Sequence, residues 1–446
     1  MLSDPRTSSL EIDIRRARRL ALLAAGLLRP DWTGLRPRGA GKGKAAREWA
    51  HDLVSHFGYL QLDTVSVAGM RSHPFVLWSR HPRLDPELGE ELLKPGAPLF
   101  EYWGHEACWI PQDLYPLFQF RRDGFQRSEW WNRIQKAHPG TADEVLQRVR
   151  EEGPIRSSDL EGQGEGGWWG HKPAKRVVVA LWSSGHLAVR ERKNFQRTFD
   201  LPERIIPDHL RRTSVTRGES LRELLAIALR GHGWARMGTL AQTWRLRNCR
   251  PELQTALEEL REQGRVLECT LRTDARKRIP GWILSDYVPI LDRLARLRPD
   301  PTQGRLLSPF DPVLWDRKRV ALLFGFEQTL EIFKPRETRE FGYFCLPVLA
   351  GEELIGRVDP KADRKAGTLR VLSEHLEPSG EHSVLRAAVT DLAEAQGLEA
   401  RFPPPAGTGA RKRAAVGGGT TERGKGHSTR TIRPAALPSA DRRRKK

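Results

Sequence analysis

The sequence predicts an α+β fold in which three copies of a unit of three helices and a hairpin precede a small antiparallel β domain. The first observation is a pair of helix-ending glycines that occurs three times. The two glycines of a pair are 32 positions apart in Gly26 and Gly58 and in Gly153 and Gly185, and 31 positions apart in Gly233 and Gly264. The second is an apolar residue two positions after each pair, namely Leu60, Leu187 and Val266. The third is a change after about residue 286 to short alternating segments. Self-similarity at a fixed spacing indicates repeated structural units.

The second copy shows the order of elements in full. Residues 141–153 have the apolar spacing of an amphipathic helix, and Ser157 or Ser158 is positioned to cap a short second helix. Residues 171–185 predict a third helix with Pro173 in its first turn, and residues 186–201 alternate like two short strands. This is the order of a winged helix, a relative of the helix-turn-helix. It recurs over 221–284, and the first copy ends in the helix REWAHDLVSHFG (47–58).

The remaining segments complete the predicted organisation. Within residues 304–372, the segments RVALLFGF, TLEIFK, REFGYFCLPVL, ELIGRV and TLRVL predict short strands of a small sheet or barrel, and 383–397 predict a closing helix. Residues after Phe402 contain almost no large apolar groups, so we expect them to be disordered. The predicted domains are winged helix 1 with the candidate site (1–140), winged helix 2 (141–215), winged helix 3 (216–290), the β domain (291–402) and a basic tail (403–446).

The charge of the chain favours nucleic acid as a partner. The 446 residues carry 75 Lys and Arg against 56 Asp and Glu, a formal net charge of +19, of which +10 lies in residues 403–446 (twelve basic, two acidic) and +9 in the rest. Cationic surfaces gain affinity by displacing phosphate counterions. No apolar run reaches the ~18 residues of a membrane helix, and the N-terminus lacks the order of a secretory signal. The four cysteines are scattered without a C-x-x-C pair, so we expect no metal site, no disulfide and a cytoplasmic, nucleoid-associated protein.

Most enzyme motifs are absent, and the candidate chemistry lies in Gln61-Leu62-Asp63. In an extended chain Gln61 and Asp63 project from one face, roughly 7 Å apart, while Leu60 and Leu62 project toward the core. An amide and a carboxylate on one face can hold and polarise a water molecule. A carboxylate on a surface that binds nucleic acid otherwise repels phosphate, which makes Asp63 a functional acid or the partner of a nearby arginine. The alternative is that Asp63 only caps the turn after the strand.

Longer segments of the chain resemble a known family of repair enzymes. They are QLDTVSV (61–67), SHPFVLWSR (72–80), LFEYWGHEACWIP (99–111), DLYPLF (113–118), GGWWGHKPAKR (166–176), FQRTFDLPERIIP (195–207), LLSPFDPVLWDRKRVALLFGF (306–326) and GYFCLPVLAGEELIGRVDPKADRKAG (342–367). Together they make roughly residues 14–400 resemble the YcaQ/AlkZ-type winged-helix DNA glycosylases. The resemblance implies three tandem winged helices and a C-terminal β domain around a C-shaped basic channel. It also implies excision of alkylated bases and unhooking of interstrand crosslinks built on N7-alkylguanine.

The resemblance also implies roles for particular residues. The family has a Gln-Φ-Gln and a Gln-Φ-Asp branch, where Φ is apolar, and Gln61-Leu62-Asp63 resembles the second, YcaQ-like branch. Gln61 and Asp63 would then be the catalytic pair, without cofactor or metal. Because no catalytic lysine lies near the motif, we expect a monofunctional glycosylase. Trp103 and His105 would lie near the cleft, with a core tryptophan and a structural histidine as the alternative. We expect a monomer that acts on double-stranded DNA with alkylated or crosslinked bases.

Several cations are candidates for phosphate contacts, with solvated surface charge as the alternative. They are Lys42 and Lys44 in a glycine-rich loop that fits neither phosphate-loop motif, Lys172, Lys175 and Arg176 at the third helix of the second copy, and Arg190, Arg192 and Lys193 on the wing that follows. The competing function is that of a winged-helix DNA-binding protein without catalysis, a regulator or architectural factor. Such a protein would need no acid at position 63. An RNA-binding module is disfavoured because the aromatic strand motifs it uses are missing.

Overall fold

A computed structural model describes residues 10–160 and 173–403 of the chain. Lys172 and residues 404–446 of the predicted tail lie outside the described residues. Among the described residues, every helix is too short or too polar to span a bilayer.

The first segment (residues 10–140) contains helices, a short strand and a long insertion. Helix α2 (Gly43–Phe57) is followed by Gly58, whose φ of 77° lies in the left-handed region that glycine adopts without steric cost. The strand after it lasts only two residues, and the next 45 residues run through two helices and a strand before the chain returns to pair with it. The elements are β1 (Leu10–Asp13), α1 (Ile14–Ala24), α2 (Gly43–Phe57), β2 (Leu60–Gln61), α3 (Ser72–Trp78), α4 (Pro86–Glu90), β3 (Leu99–Trp103), β4 (Ala107–Pro111), α5 (Gln119–Gln126) and α6 (Glu129–Ala137).

The second and third segments show the predicted helices and hairpins. In each, the short strand after the first helix pairs with the second hairpin strand, which gives the sheet orders β5–β7–β6 and β9–β10–β8. Thr216 and Glu219 form a reciprocal capping box at the start of α10. The elements are α7 (Thr141–Glu152), β5 (Ile155–Arg156), α8 (Pro173–Ser183), β6 (Ala188–Lys193), β7 (Gln196–Asp200), α9 (Asp208–Arg212), α10 (Arg217–His232), β8 (Trp234–Ala235), α11 (Met237–Thr243), α12 (Arg250–Glu262), β9 (Val266–Arg272), β10 (Arg278–Leu284) and α13 (Leu291–Arg296).

The C-terminal segment is a five-stranded sheet with one helix packed on it and one in a connection. Its order is β11–β12–β13–β14–β15, antiparallel except that β15 runs parallel to β14. The strand predicted from RVALLFGF is wrong, because Asp316 caps a helix there and Val320 and Leu323 bury one helical face. The strand predicted from TLEIFK is also wrong, since these residues form a loop. The elements are β11 (Gly304–Leu306), α14 (Arg317–Phe324), β12 (Leu346–Ala350), β13 (Glu353–Asp363), β14 (Thr368–Leu376), α15 (His382–Glu394) and β15 (Glu399–Arg401).

Contacts between distant parts of the chain hold the segments together. Strand β1 pairs in parallel with β9 of the third segment. A continuous apolar core runs through the first, second and third segments, and a second core joins the C-terminal sheet to Met70, Phe75 and Trp78. The guanidinium of Arg80 donates to both oxygens of Asp311, at 2.5 and 2.9 Å, with both side chains buried. The loop before α14 is thereby fixed against the first segment.

Candidate active site

The strand β2 holds Gln61 at the edge of a small sheet. Leu60 and Gln61 pair with Trp109 and Cys108 of β4, and the amide of Leu62 donates to Ala107 O at 2.8 Å. Leu60 and Leu62 are buried in the core, as the alternation predicts. Gln61 is itself only 7% exposed, so its amide faces a confined space.

That space is a cavity of about 160 Å³ between the first segment and the loop before α14. Gln61 and His105 of the first segment line it together with Phe310, Leu314 and Trp315 of the loop before α14. Trp315 is held in position because its Nε1–H donates to the Tyr59 hydroxyl at 3.0 Å. The full lining consists of Gln61, His105, Glu106, Arg245, Pro309, Phe310, Leu314, Trp315, Arg317, Gln328 and Leu330.

His105 presents a neutral imidazole to this cavity. Burial, reinforced by the Arg245 guanidinium, lowers the pKa of His105 to about 4. Its Nδ1 lies 3.1 Å from Gln242 O, and since a carbonyl oxygen only accepts, Nδ1 carries the proton and Nε2 is left as an acceptor. The ring contacts Trp315 in a tilted arrangement, with 4.2 Å between centroids and 37° between the ring planes. His105 is thus fixed in one tautomer beside Gln61.

Asp63 lies just beyond the strand, in a different setting from Gln61. Its Oδ1 accepts from the backbone N–H of Val65 at 2.8 Å, which is the turn-capping bond that the alternative interpretation of the sequence predicts. The side chain is half-buried, and this burial raises the pKa of Asp63 despite opposing hydrogen bonds from the Val65 and Thr64 backbone. Asp63 is not one of the described residues that line the cavity. The carboxylate lies outside the cavity wall, two residues along the chain from the Gln61 amide.

The segment after Asp63 docks on the C-terminal sheet. The Ala362 N–H of β13 donates to Val67 O at 2.9 Å, and Arg364 and Gln396 donate to the carbonyls of Gly69 and Ala68. These bonds fix the chain on the far side of Asp63, as β2 fixes it on the near side. The carboxylate is therefore held between two rigid attachments.

Trp103 does not accompany His105 to the cavity. Its indole lies 4.7 Å from that of Trp182, and Nε1–H donates to the Ser183 hydroxyl at 2.9 Å. Of the two residues expected near the cleft, the structure brings only His105 next to Gln61.

The predicted phosphate-binding cations fall into two groups. Lys42, Lys44, Lys175, Arg176 and Lys193 are exposed, with Lys42 and Lys44 facing Asp85 and Glu48 at 3.4 and 3.8 Å. Arg190 and Arg192 are committed to internal ion pairs: Arg190 donates to Asp200 at 3.0 Å, and Arg192 donates to both oxygens of Glu101 at 2.7 Å. An arginine whose charge is already matched gains less from a phosphate. Lys172 lies outside the described residues.

Phe195 explains why the wing of the second segment turns inward. It is the second residue of a tight turn with φ of 62°, and its ring stacks on the buried His73 at 5.5 Å. The guanidiniums of Arg71 and Arg192 lie over the same ring at 4.5 and 4.2 Å. The turn therefore docks against the first segment, an arrangement that alternation and charge could not reveal.

Several site residues escaped the sequence analysis. Tyr59, Trp315, Gln328 and Arg245 come together from three segments, and the only signal was that LLSPFDPVLWDRK is an aromatic and proline-rich stretch. A larger groove of about 660 Å³ between α11, α12, β10 and α14 carries the exposed cations Arg236, Arg250 and Lys318, which scattered sequence positions gave no reason to group. The described residues hold no cluster of three or more His, Cys, Asp or Glu side chains suited to a metal ion.

Comparisons with known proteins give a consistent result. A family model described as DNA glycosylase AlkZ-like matches residues 54–396. The solved structure of a Streptomyces sahachiroi DNA glycosylase, AlkZ, matches with a TM-score of 0.55 at 17% identity, covering 88% of this chain and 100% of that one. At this identity the structural match speaks for a shared fold. The family match includes Gln61, Asp63, His105 and the whole lining of the cavity.

Proposed function

The chain belongs to the AlkZ-like family of DNA glycosylases, enzymes that hydrolyse N-glycosyl bonds of DNA, and we propose that its substrate is N7-alkylated guanine in duplex DNA, with Gln61 and Asp63 as the catalytic pair. The observation that carries the proposal is the buried Gln61 amide, which shares a cavity with a neutral histidine and lies two residues before a carboxylate of raised pKa. We further propose that the three helix-and-hairpin segments are winged helices that line a C-shaped basic channel, and that the enzyme is a monomer that acts on the nucleoid in the cytoplasm.

The reaction needs little assistance from a general acid. An N7-alkylguanine is cationic, so when the C1′–N9 bond breaks its electron pair neutralises the departing base. The oxygen of a water molecule forms the new bond to C1′, and the proton that the water loses passes to Asp63. The ionised carboxylate also stabilises the positive charge that develops on the sugar. No second catalytic carboxylate is needed.

Each residue of the site has a separate task in this scheme. A raised pKa makes Asp63 a better base. The Gln61 amide has both donors and an acceptor with which to orient the water, and His105 Nε2 offers a further acceptor. Because burial lowers the pKa of His105 to about 4, its imidazole is a weak base and does not readily take the proton.

The size of the cavity favours substrates that remain in the duplex. At about 160 Å³ it is smaller than the ~300 Å³ at which ligand pockets usually begin, whereas base-flipping enzymes enclose the whole base. A site that does not enclose the base tolerates bulky alkyl groups. We therefore include interstrand crosslinks through guanine N7 among the proposed substrates, and expect the protein to release single strands from such a crosslinked duplex.

The test replaces Asp63 by Asn and measures single-turnover release of N7-methylguanine from a duplex. We expect the rate to fall by about 100-fold or more, as when a general base is lost. Asp300→Asn is the matched control, since Asp300 Oδ1 accepts from Thr302 N–H at 2.9 Å in the same i to i+2 geometry. Release by Asp63→Asn at the wild-type rate would contradict the catalytic assignment. A wild-type protein that binds the duplex without releasing base would contradict the proposed substrate.

A further inference from the structure

An exposed aromatic ring lies in the loop between α14 and β12. Phe333 is 81% exposed, and among the residues that the structure describes it is the one Phe, Tyr or Trp whose side chain is largely in solvent. A single exposed apolar residue is ordinary in a soluble protein. The setting of Phe333, rather than its exposure, is informative.

The loop that carries Phe333 is held rigidly by one buried carboxylate. Glu331, 2% exposed, accepts from the backbone N–H groups of Glu340, Phe341 and Gly342 at 3.1, 2.7 and 3.2 Å. The Lys334 ammonium donates to the same carboxylate at 2.8 Å, and the Lys334 amide closes a turn onto Glu331 O at 2.9 Å. Phe333 lies inside this turn, so its backbone is fixed while its ring stays in solvent.

The loop also forms part of the candidate active site. Gln328 and Leu330 line the cavity that contains Gln61. Three residues of extended chain span about 10 Å, so the Cα of Phe333 lies within that distance of Leu330. Successive bases along a DNA strand rise 3.4 Å, so the Phe333 Cα lies within about three base steps of Leu330 at the cavity. The exposed side chain of Arg336 lies three residues beyond Phe333, whereas Lys334 is paired with Glu331.

We propose that Phe333 is a wedge that inserts between stacked bases beside the reacting nucleotide. Apolar side chains that enter a base step unstack it and bend the duplex. This would turn the damaged nucleotide toward a cavity too small to enclose its base, without complete extrusion. The inference rests on the proposed function because it takes the Gln61 cavity as the reacting site. Glu331 would be a positioning residue, which holds the turn but does not touch the DNA.

The test compares Phe333→Ala with wild type on one N7-methylguanine oligonucleotide, both as a duplex and as a single strand. We expect the single-turnover rate constant for base release from the duplex to fall about tenfold, within the range that one base–aromatic stack contributes. On the single strand, where no stack must be opened, we expect a change of less than about twofold. Phe333→Trp keeps a flat ring and should retain the duplex rate, and Glu331→Gln should lose part of it.

A second readout reports unstacking without requiring catalysis. The duplex carries 2-aminopurine next to a 2′-fluoro N7-methylguanine nucleotide, whose glycosidic bond resists hydrolysis. Binding of wild type should raise the fluorescence and binding of Phe333→Ala should not. Leu372→Ala is the matched control, because Leu372 is an exposed apolar residue (48%) on β14 and should behave as wild type in both assays.

The outcomes separate the wedge from the proposed function. An unchanged duplex rate in Phe333→Ala, or an equal loss on duplex and single strand, overturns the wedge while excision by wild type stands. A fluorescence rise that depends on Phe333, in a protein that releases no base, supports the wedge and overturns the proposed function. Because Phe333 is exposed, an unchanged Tm in Phe333→Ala excludes misfolding as the cause of any loss.

Discussion

At the residue scale, Gln61 and Asp63 show both the reach and the limit of a local pattern. The sequence predicted a strand with both side chains on one face, and the alternation of Leu60 and Leu62 into the core is confirmed. The strand, however, ends at Gln61, and Asp63 turns into a capped bend. Residues 67–69 dock on the end of β13 and on the turn after α15, about 300 positions later in the chain. A periodicity measured over ten residues contains no information about such a contact.

The raised pKa of Asp63 predicts that the carboxylate lowers stability. Between its ordinary pKa and its raised one, the folded state binds more protons than the unfolded state, so stability falls as the pH rises through this window. Above the window the cost is constant, and Asp63→Asn removes it while keeping an oxygen for the Val65 N–H. At pH 7 we expect Asp63→Asn to raise Tm by roughly 1–2 °C, because even 1 kcal/mol moves the Tm of a large domain by only a few degrees.

The control variant should change Tm in the opposite direction. Hydrogen bonds from the side chain and backbone of Thr302 lower the pKa of Asp300, so its carboxylate is stabilising at neutral pH and Asp300→Asn should lower Tm. Thermal unfolding of both variants at pH 7 and near pH 3 tests both predicted changes in Tm. The Asp63→Asn gain should vanish at the acid end; a loss of stability at pH 7 would show that the carboxylate is well satisfied where it lies.

At the element scale, the glycines that end helices were the strongest signal in the sequence. Gly58, Gly185 and Gly264 each follow a helix with positive φ, and a strand begins two or three residues later, as their spacing predicted. What the spacing did not predict was the insertion at 62–106, or the pairing of β1 with β9. Short strands are stabilised by their partners in the sheet, and those partners lie far away in the chain.

Gly58 and Gly264 permit a paired substitution that separates backbone strain from packing. An alanine at Gly264 (φ of 69°) meets open space, so Gly264→Ala should cost only the left-handed conformation, about 1–2 kcal/mol. An alanine at Gly58 would also collide with Ile227 of α10 and Trp244, which adds about 1–3 kcal/mol of overpacking. The collision is relieved by moving the end of α2, and with it Gln61.

Urea unfolding and base release measure the two effects. We expect Gly58→Ala to lose more stability than Gly264→Ala and to lose excision activity as well, while Gly264→Ala keeps its activity. Equal losses of stability in the two variants would show that α2 and α10 can separate without cost, and would contradict the view that their contact sets the position of Gln61.

At the scale of the whole molecule, net charge predicted the partner but not the use of individual arginines. Arg80 and Arg192 are bound to the buried carboxylates of Asp311 and Glu101, and Arg319 donates to backbone carbonyls. Burial opposes ionisation of Glu101, but Arg192 and Arg197 overcome it and lower the pKa of Glu101 to about 2. These pairs join different segments, so part of the positive charge of the body serves its assembly. Composition cannot distinguish such an arginine from one that faces DNA.

The buried histidines predict that the folded protein is sensitive to mild acid. Burial, assisted by nearby arginines, lowers the pKa of both His56 and His105 to about 4, whereas in the unfolded chain they titrate near 6.5. Between these values the unfolded state binds more protons, so stability is full above pH 6.5 and decreases as the pH falls toward 4. At pH 5 each of the two should cost roughly 1–2 kcal/mol.

Urea unfolding at pH 7, 6 and 5 measures this slope, and two variants identify its source. His56→Gln keeps a donor for the Ala24 carbonyl, which His56 Nε2 reaches at 2.8 Å, but cannot titrate, so the loss between pH 7 and pH 5 should shrink. His209→Gln removes an exposed histidine and should leave the slope unchanged. Equal slopes in wild type and His56→Gln would contradict the contribution assigned to His56.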